Sequence, residues 1–167
     1  MNERNMVQEE AWLLRDKYKG VRVPEYDFDI ERLRRGEPLA YVIGWVPFLG
    51  TKIYLDSYPL IPRPETEYWT EKAIASLPTN LDIAVLDMCA GSGCIGIAVL
   101  SKLARSHVTC AEKETAHHSA IEKNISENTI VADRAIIVGG DLFEHVEPHQ
   151  QFDAIFSNPP YIDPQND

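Results

Sequence analysis

Apolar residues recur along this chain in two rhythms, one helical and one strand-like. Met6, Leu13, Leu14 and Tyr18 share one side of a helical period, which predicts a helix over about 5–19 stopped by Gly20. A second, shorter helix is expected over about 29–35, with Asp29 as its N-cap and Gly36-Glu37-Pro38 ending it. The period then shortens to two. Tyr41, Ile43 and Trp45 alternate, Phe48 follows, and Ile53 and Leu55 come after Gly50-Thr51, so residues 39–57 read as strands forming a hairpin. Pro64 fits the first turn of a helix reaching about Leu77, and Glu65 and Glu67 complement the positive end of its dipole.

Beyond that point short apolar runs alternate with helical segments. Strands are expected at Ile83–Asp87, Val108–Ala111, Ala135–Val138 and Phe152–Ser157. Helices are expected at Cys94–Leu103 and Thr115–Asn128, the latter with Ile121 and Ile125 inward. Strands separated by helices imply a parallel sheet with right-handed crossovers, hence an α/β fold. Three regions follow: a short helical segment over 1–38, a hairpin with its connecting helix over 39–78, and an α/β domain over 79–167.

Composition narrows the classes. With 44% hydrophobic residues the chain is globular, and no apolar stretch is long enough to span a membrane. The polar start Met1-Asn2-Glu3-Arg4 is not a signal peptide. Cys89, Cys94 and Cys110 lack metal-type spacing and read as buried thiols in a reducing cytosol. His107, His117, His118, His145 and His149 form no constellation and read as surface or helix residues. The net charge of −10 divides into −1 over residues 1–38 and −9 over 39–167. A domain so acidic is poorly suited to wrapping a polyphosphate, which argues against direct nucleic-acid binding. Arg32, Arg34 and Arg35 form a local basic cluster that reads as a solvated helix face or as a contact for an acidic patch.

Two motifs carry chemistry. In the first, Leu86-Asp87-Met88-Cys89-Ala90-Gly91-Ser92-Gly93-Cys94-Ile95-Gly96 runs from strand through a small-residue loop into a helix start. Gly91 and Gly93 let backbone N–H groups approach a ligand at that helix N-terminus. Glu112 falls at the tip of the next strand, where a carboxylate accepts from two ribose hydroxyls, and Asp141-Leu142 follows the third strand, placed to flank an adenine. Asp87 either takes part in the site or caps the loop. Gly91-Ser92-Gly93-Cys94-Ile95-Gly96 also matches the dinucleotide fingerprint, so a nicotinamide enzyme is a rival.

The second motif, Asn158-Pro159-Pro160-Tyr161, stands directly after the fourth strand. Its prolines have fixed φ and no N–H, which stiffens the loop and leaves carbonyls free to accept. The Asn158 side-chain oxygen and the Pro159 carbonyl are suited to accept both hydrogens of one planar NH₂ group, with Tyr161 as an aromatic wall. The plainer reading is a proline-rich turn. Hydride transfer leaves this tetrapeptide without a role. Methyl transfer to an amide or amino nitrogen uses it at the carboxyl end of the fourth strand, facing the methyl donor.

Taken together, the motifs resemble the HemK/PrmC family, protein-(glutamine-N5) methyltransferases that modify peptide chain release factors. The resemblance covers about residues 31–163. It rests on Arg35-Gly36-Glu37-Pro38-Leu39-Ala40-Tyr41-Val42-Ile43-Gly44, on Leu60-Ile61-Pro62-Arg63-Pro64-Glu65-Thr66-Glu67, on the loop Asp87–Gly93, on Gly140-Asp141-Leu142-Phe143 and on Ser157-Asn158-Pro159-Pro160-Tyr161-Ile162. The tetrapeptide is shared with adenine-N6 and guanine-N2 nucleic-acid methyltransferases, whereas the first two stretches favour a protein substrate.

The resemblance implies a Rossmann-like class I methyltransferase fold and S-adenosylmethionine as methyl donor. Cys89, Ala90, Gly91, Ser92 and Gly93 would hold its methionine part, with Glu112 on the ribose and Leu142 against the adenine. Asn158 and Pro159 would hold the substrate amide, and Pro160 and Tyr161 would shape the slot. The implied substrate is the glutamine of the Gly-Gly-Gln motif in class I release factors, which places the protein in the cytoplasm without a metal. Family members have a longer helical N-terminus and three further strands, in the order 3-2-1-4-5-7-6. The fourth strand is therefore expected as a bare edge, prone to self-association. Two other functions remain: a nucleic-acid amino-methyltransferase, and a non-catalytic remnant that binds S-adenosylmethionine or acts only through contacts.

Overall fold

The computed structural model describes residues 3–160. The chain separates into two compact units, residues 1–46 and 47–167, and each has its own packing.

In the first unit the helices are α1 (Glu3–Asp16), α2 (Pro24–Arg34) and α3 (Leu39–Ile43). They close over Leu13, Tyr26, Ile30, Leu33 and Val42, all buried. A polar knot holds the same helices together. Asp29 accepts from Lys17 Nζ (2.5 Å), Tyr18 Oη (2.7 Å) and Arg32 (2.9 Å), and Lys17 Nζ also donates to the Val42 carbonyl (2.8 Å).

Two expectations are corrected here. Asp29 is not an N-cap: α2 begins five residues earlier because Pro24 occupies its first position and Glu25 and Asp27 favour its first turn, which leaves Asp29 inside the helix. Residues 39–43, expected as strand, form α3. The left-handed Gly44 (φ 92°) ends that helix after five residues, too few to display a helical period.

The second unit starts within a hairpin of β1 (Trp45–Phe48) and β2 (Thr51–Tyr54). Leu49 and Gly50 both take positive φ (47° and 86°), the backbone that a tight two-residue hairpin turn requires. Next come α4 (Pro64–Ala75), β3 (Ile83–Met88), α5 (Cys94–Lys102), β4 (Ser106–Glu112), α6 (Thr115–Glu127), β5 (Ala135–Gly139) and β6 (Ala154–Ser157). The four later strands form a parallel sheet in the order β5-β4-β3-β6, the expected 3-2-1-4.

Val85, Leu86 and Asp87 in β3 are all fully buried, as suits a strand covered on both faces. Helix α5 is apolar all round, and Cys94 through Leu100 are buried without a break. Burying each of its larger aliphatic side chains contributes roughly 1.5–3 kcal/mol. The far end of α5 is closed by Arg134, which donates to the carbonyls of Leu100 (2.9 Å), Leu103 (2.6 Å) and Ser106 (2.9 Å). Carbonyls at a helix end have no partner within the helix, and a guanidinium satisfies several at once.

Candidate functional site

The chain runs from β3 outward to β4 and β5, then returns to β6 on the other side of β3. Sheets with such a reversal bind ligands outside the carboxyl ends of the strands at this point. The register shows what gathers there. Met88 is level with Ala111 and with Ser157, and Glu112 is level with Gly139. Cys89–Gly93, Glu112, Gly140-Asp141-Leu142 and Asn158-Pro159-Pro160 therefore all emerge along one edge of the sheet. Tyr161 lies outside the described residues.

The loop after β3 is held from several sides. Cys89, Gly91 and Gly93 take positive φ (60°, 56° and 75°), and the Ala90 N–H donates to the Ala111 carbonyl (3.1 Å). Glu112, itself buried, accepts the Gly91 N–H on Oε2 (2.7 Å) and the Glu114 N–H on Oε1 (2.8 Å). Each carboxylate oxygen retains a lone pair, so these bonds fix the carboxylate while leaving it able to accept hydroxyls. At Gly91 a Cβ would meet only Pro59 Cβ, at 4.0 Å, whereas at Gly93 it would stand 3.1 Å from Ile121. Gly91 thus keeps open space at the loop surface, and Gly93 lets α5 start against α6.

Asp87 is fully buried beneath this loop. Its Oδ2 accepts the Gly96 N–H (2.8 Å) in the first turn of α5, whose N-cap, Gly93, has no side chain to serve. A Cβ at Gly96 would stand 3.1 Å from that oxygen and 3.0 Å from Val108, so the contact depends on glycine. Asp87 Oδ1 has no hydrogen-bond partner among the described residues. Burial pushes the carboxyl up to about 7; the Gly96 N–H opposes this and the charge of Glu112 reinforces it. Burial likewise pushes the Cys94 thiol up to about 12 and raises that of Cys110.

At the tip of β5, Leu142 and Phe143 are 52% and 57% exposed, two apolar side chains turned to solvent beside Glu112's strand. Asp141 accepts from Lys113 Nζ (2.9 Å), which links the tips of β4 and β5. Asn158 and Pro159 are half-buried and Pro160 is exposed. The residues present fit an adenosyl group carrying an amino acid tail: a carboxylate fixed at a strand tip, apolar side chains just beyond the neighbouring strand, and a glycine loop with open space at Gly91.

Gly96, the last residue of the glycine motif, admits the Asp87 carboxylate. Two participants escape a motif search. His118 bonds the Glu112 carbonyl through Nε2 (2.8 Å) and lies 3.0 Å from where a Gly139 Cβ would stand. Asn124, fully buried in α6, donates to the carbonyl of Ser92 (3.0 Å). The available signal for Asn124 is an amide one turn from Asn128 on a stripe with Ile121 and Ile125.

Sheet order and glycine loop are those of a Rossmann-like class I methyltransferase fold. The human methyltransferase 10 domain containing protein is similar in structure, with TM-score 0.52 and 20% identity over 70% of this chain and 58% of that one. Pyrococcus horikoshii TYW2 in complex with MeSAdo gives TM-score 0.50 and 22% identity over 58% of this chain and 35% of that one. The methyltransferase small domain model matches residues 69–167, and the chain belongs to that family and, by its relatives, to HemK/PrmC. It is 36% identical over 137 residues to the release factor glutamine methyltransferase of Rhodopirellula baltica, covering 80% of this chain and 46% of that protein. The corresponding protein of Koribacter versatilis is 34% identical, over 82% of this chain and 48% of that one. The chain thus spans about half the length of these curated relatives. Among the described residues no helix is long and apolar enough to cross a membrane.

Proposed function

We propose that this chain directs methyl transfer from S-adenosylmethionine to the side-chain amide nitrogen of the glutamine in the Gly-Gly-Gln motif of a class I peptide chain release factor. The observation that carries the reading is the register of β3 with β6. Met88 lies level with Ser157, so the loop Cys89–Gly93 and Asn158 leave adjacent strands side by side. The similarity to release factor glutamine methyltransferases supports the choice of substrate.

In this reading Cys89, Ala90, Gly91, Ser92 and Gly93 cradle the methionine part of the cofactor and Glu112 accepts from its ribose. Leu142 and Asp141 flank its adenine, and buried Asp87 fixes the start of α5. When bound, S-adenosylmethionine supplies an electrophilic sulfonium methyl. The chain's task is to present a poor nucleophile, because an amide lone pair is delocalised into its carbonyl. Asn158 Oδ1 and the Pro159 carbonyl accept the two amide hydrogens, which raises electron density on nitrogen and fixes its direction. Pro160 and Tyr161 shape the slot. With the cofactor held there, it would give up its methyl group and keep the electron pair of the broken sulfur–carbon bond, while these residues would hold the amide nitrogen in line and let it shed its proton to a nearby acceptor. Orientation dominates such a step, and well-placed reactants gain about 7–11 kcal/mol.

The same reading makes residues 1–38 a docking segment for the release factor, 39–78 its link to the domain over 79–167, and the cytoplasm the place of action. Asn158→Ala is expected to lower methyl transfer by about 100-fold or more, as loss of alignment does, while S-adenosylmethionine affinity stays nearly intact. Peptide mass on the Gly-Gly-Gln segment after incubation with purified release factor reads this. Wild-type protein that binds S-adenosylmethionine but adds no methyl there would refute the substrate, and normal transfer by Asn158→Ala would refute the mechanism.

A further inference from the structure

In a two-stranded sheet, every second residue of a strand turns its N–H and C=O away from the partner strand and leaves them unpaired. In β2 those residues are Lys52 and Tyr54, and each is met by one asparagine. The Tyr54 N–H donates to Asn124 Oδ1 (2.7 Å), and Asn124 Nδ2 donates back to the Tyr54 carbonyl (3.0 Å). The Lys52 N–H donates to Asn128 Oδ1 (2.9 Å), and Asn128 Nδ2 donates back to the Lys52 carbonyl (2.8 Å). The spacing permits both at once: four helical residues rise about 6 Å, and two strand residues span about 6.6 Å. Two side-chain amides, one turn apart, take the place of a third strand.

The two asparagines differ in one bond. The other Nδ2 hydrogen of Asn124 reaches the carbonyl of Ser92, in the loop assigned above to the cofactor (3.0 Å), whereas that of Asn128 reaches the carbonyl of Asn124 (2.8 Å). Asn124 is fully buried, so its own amide cannot exchange these partners for water. The chain beyond β2 is fastened to the same helix. Lys123 pairs with Asp56, and His117 Nδ1 bonds Ser57 Oγ (2.8 Å). The path then passes Pro59, whose Cβ stands 4.0 Å from the position of a Gly91 Cβ.

We propose that Asn124 is a positioning residue that joins the outer edge of the hairpin to the cofactor loop, so that ordering of the loop around S-adenosylmethionine and ordering of β2 are one event. This rests on the S-adenosylmethionine reading of the loop. Asn128 serves the hairpin and the end of its own helix but does not reach the loop, and is the internal control. Asn124→Asp keeps the acceptor for Tyr54 but sets an oxygen against the carbonyls of Tyr54 and Ser92.

Calorimetric titration with S-adenosylmethionine, together with amide hydrogen exchange on the full chain, tests this. Asn124→Asp should weaken binding by about tenfold or more, within the range of coupling between sites, and Asn128→Ala by less than about twofold. Asn128→Ala should speed exchange at Lys52 and Asn124→Asp at Tyr54, but only Asn124→Asp should speed it at Ala90–Gly93. In the unaltered protein, saturating S-adenosylmethionine should slow exchange at Tyr54, because coupling is reciprocal. That measurement decides the matter if Asn124→Asp does not fold.

Equal weakening by the two variants, unchanged affinity in Asn124→Asp, or no protection at Tyr54 on saturation would each overturn the proposal. Wild-type protein that fails to bind S-adenosylmethionine overturns the cofactor reading instead. The link from Asn124 to Ser92 is then judged by loop exchange in the two variants without ligand.

Discussion

Asp87 places an ionisable group where only its neutral form is comfortable. Its carboxyl is pushed up to about 7 by burial, so between about pH 4 and 7 the folded chain keeps a proton that the unfolded chain releases. Stability from this group is full below about pH 4, falls as pH rises, and levels off above about 7. At about 1.4 kcal/mol per pH unit the loss across that window is on the order of 4 kcal/mol at most. Asp87→Asn keeps an acceptor for the Gly96 N–H and removes the ionisation. Thermal melts at several pH values should therefore show a flatter profile for the variant between pH 4 and 7, and parallel profiles would contradict the account. Asp29 behaves in the opposite sense. Burial pushes its carboxyl up, but bonds from Lys17, Tyr18 and Arg32 outweigh this and hold it below the usual range, so its contribution is lost as pH falls through that lowered value. Sequence alone leaves Asp87 between ligand and cap, because the deciding contact is to Gly96, nine positions away.

Among elements, the alternating strands and helices after Ile83 are legible because each apolar run is long enough to show its type and is bounded by turn residues. The helical N-terminus is less so. Tyr41, Ile43 and Trp45 alternate like a strand, yet Pro38 and the left-handed Gly44 confine residues 39–43 to one short helix. The start of α2 is obscured for a related reason. Its N-cap is Val23, which has the extended backbone of a cap (φ −119°, ψ 165°) but no side-chain acceptor. Val23→Ser should supply one and stabilise the first unit by about 1 kcal/mol, read as a higher urea midpoint; an unchanged midpoint would show that the first-turn amides are satisfied otherwise. Asn124 in α6 and its C-cap Asn128 are the harder case. Nothing local marks an amide as a substitute strand, since the groups it satisfies lie 70 and 76 positions earlier.

For the molecule as a whole, β6 is an edge strand among the described residues, with Ile155 56% exposed. Beside it runs a groove of about 500 Å³ lined by Trp69, Ala73, Leu77 and Phe156, where the rings of Trp69 and Phe156 stack at 6.0 Å. An apolar strand edge is a template for pairing with a second copy. Self-association through this edge is expected to grow with concentration, and Ile155→Lys should suppress it in sedimentation velocity. A wild-type chain that stays monomeric at every concentration would remove the idea.

The topology also sets a schedule. Strands β3 and β4 pair residues 23 positions apart, a separation shared by the flanking ion pair Asp82–Arg105, and Ile83 is level with Ser106; β5 then adds to β4. The pairing of β3 with β6, in which Val85 is level with Ala154, spans 69 positions, the same separation as the adjacent Ala84 to Asp153 bond, and closing so long a loop is the slower event. The glycine loop and Glu112 can therefore reach their final arrangement while Asn158 is still distant, so the part assigned to the cofactor is expected to mature first and the part assigned to the substrate amide last.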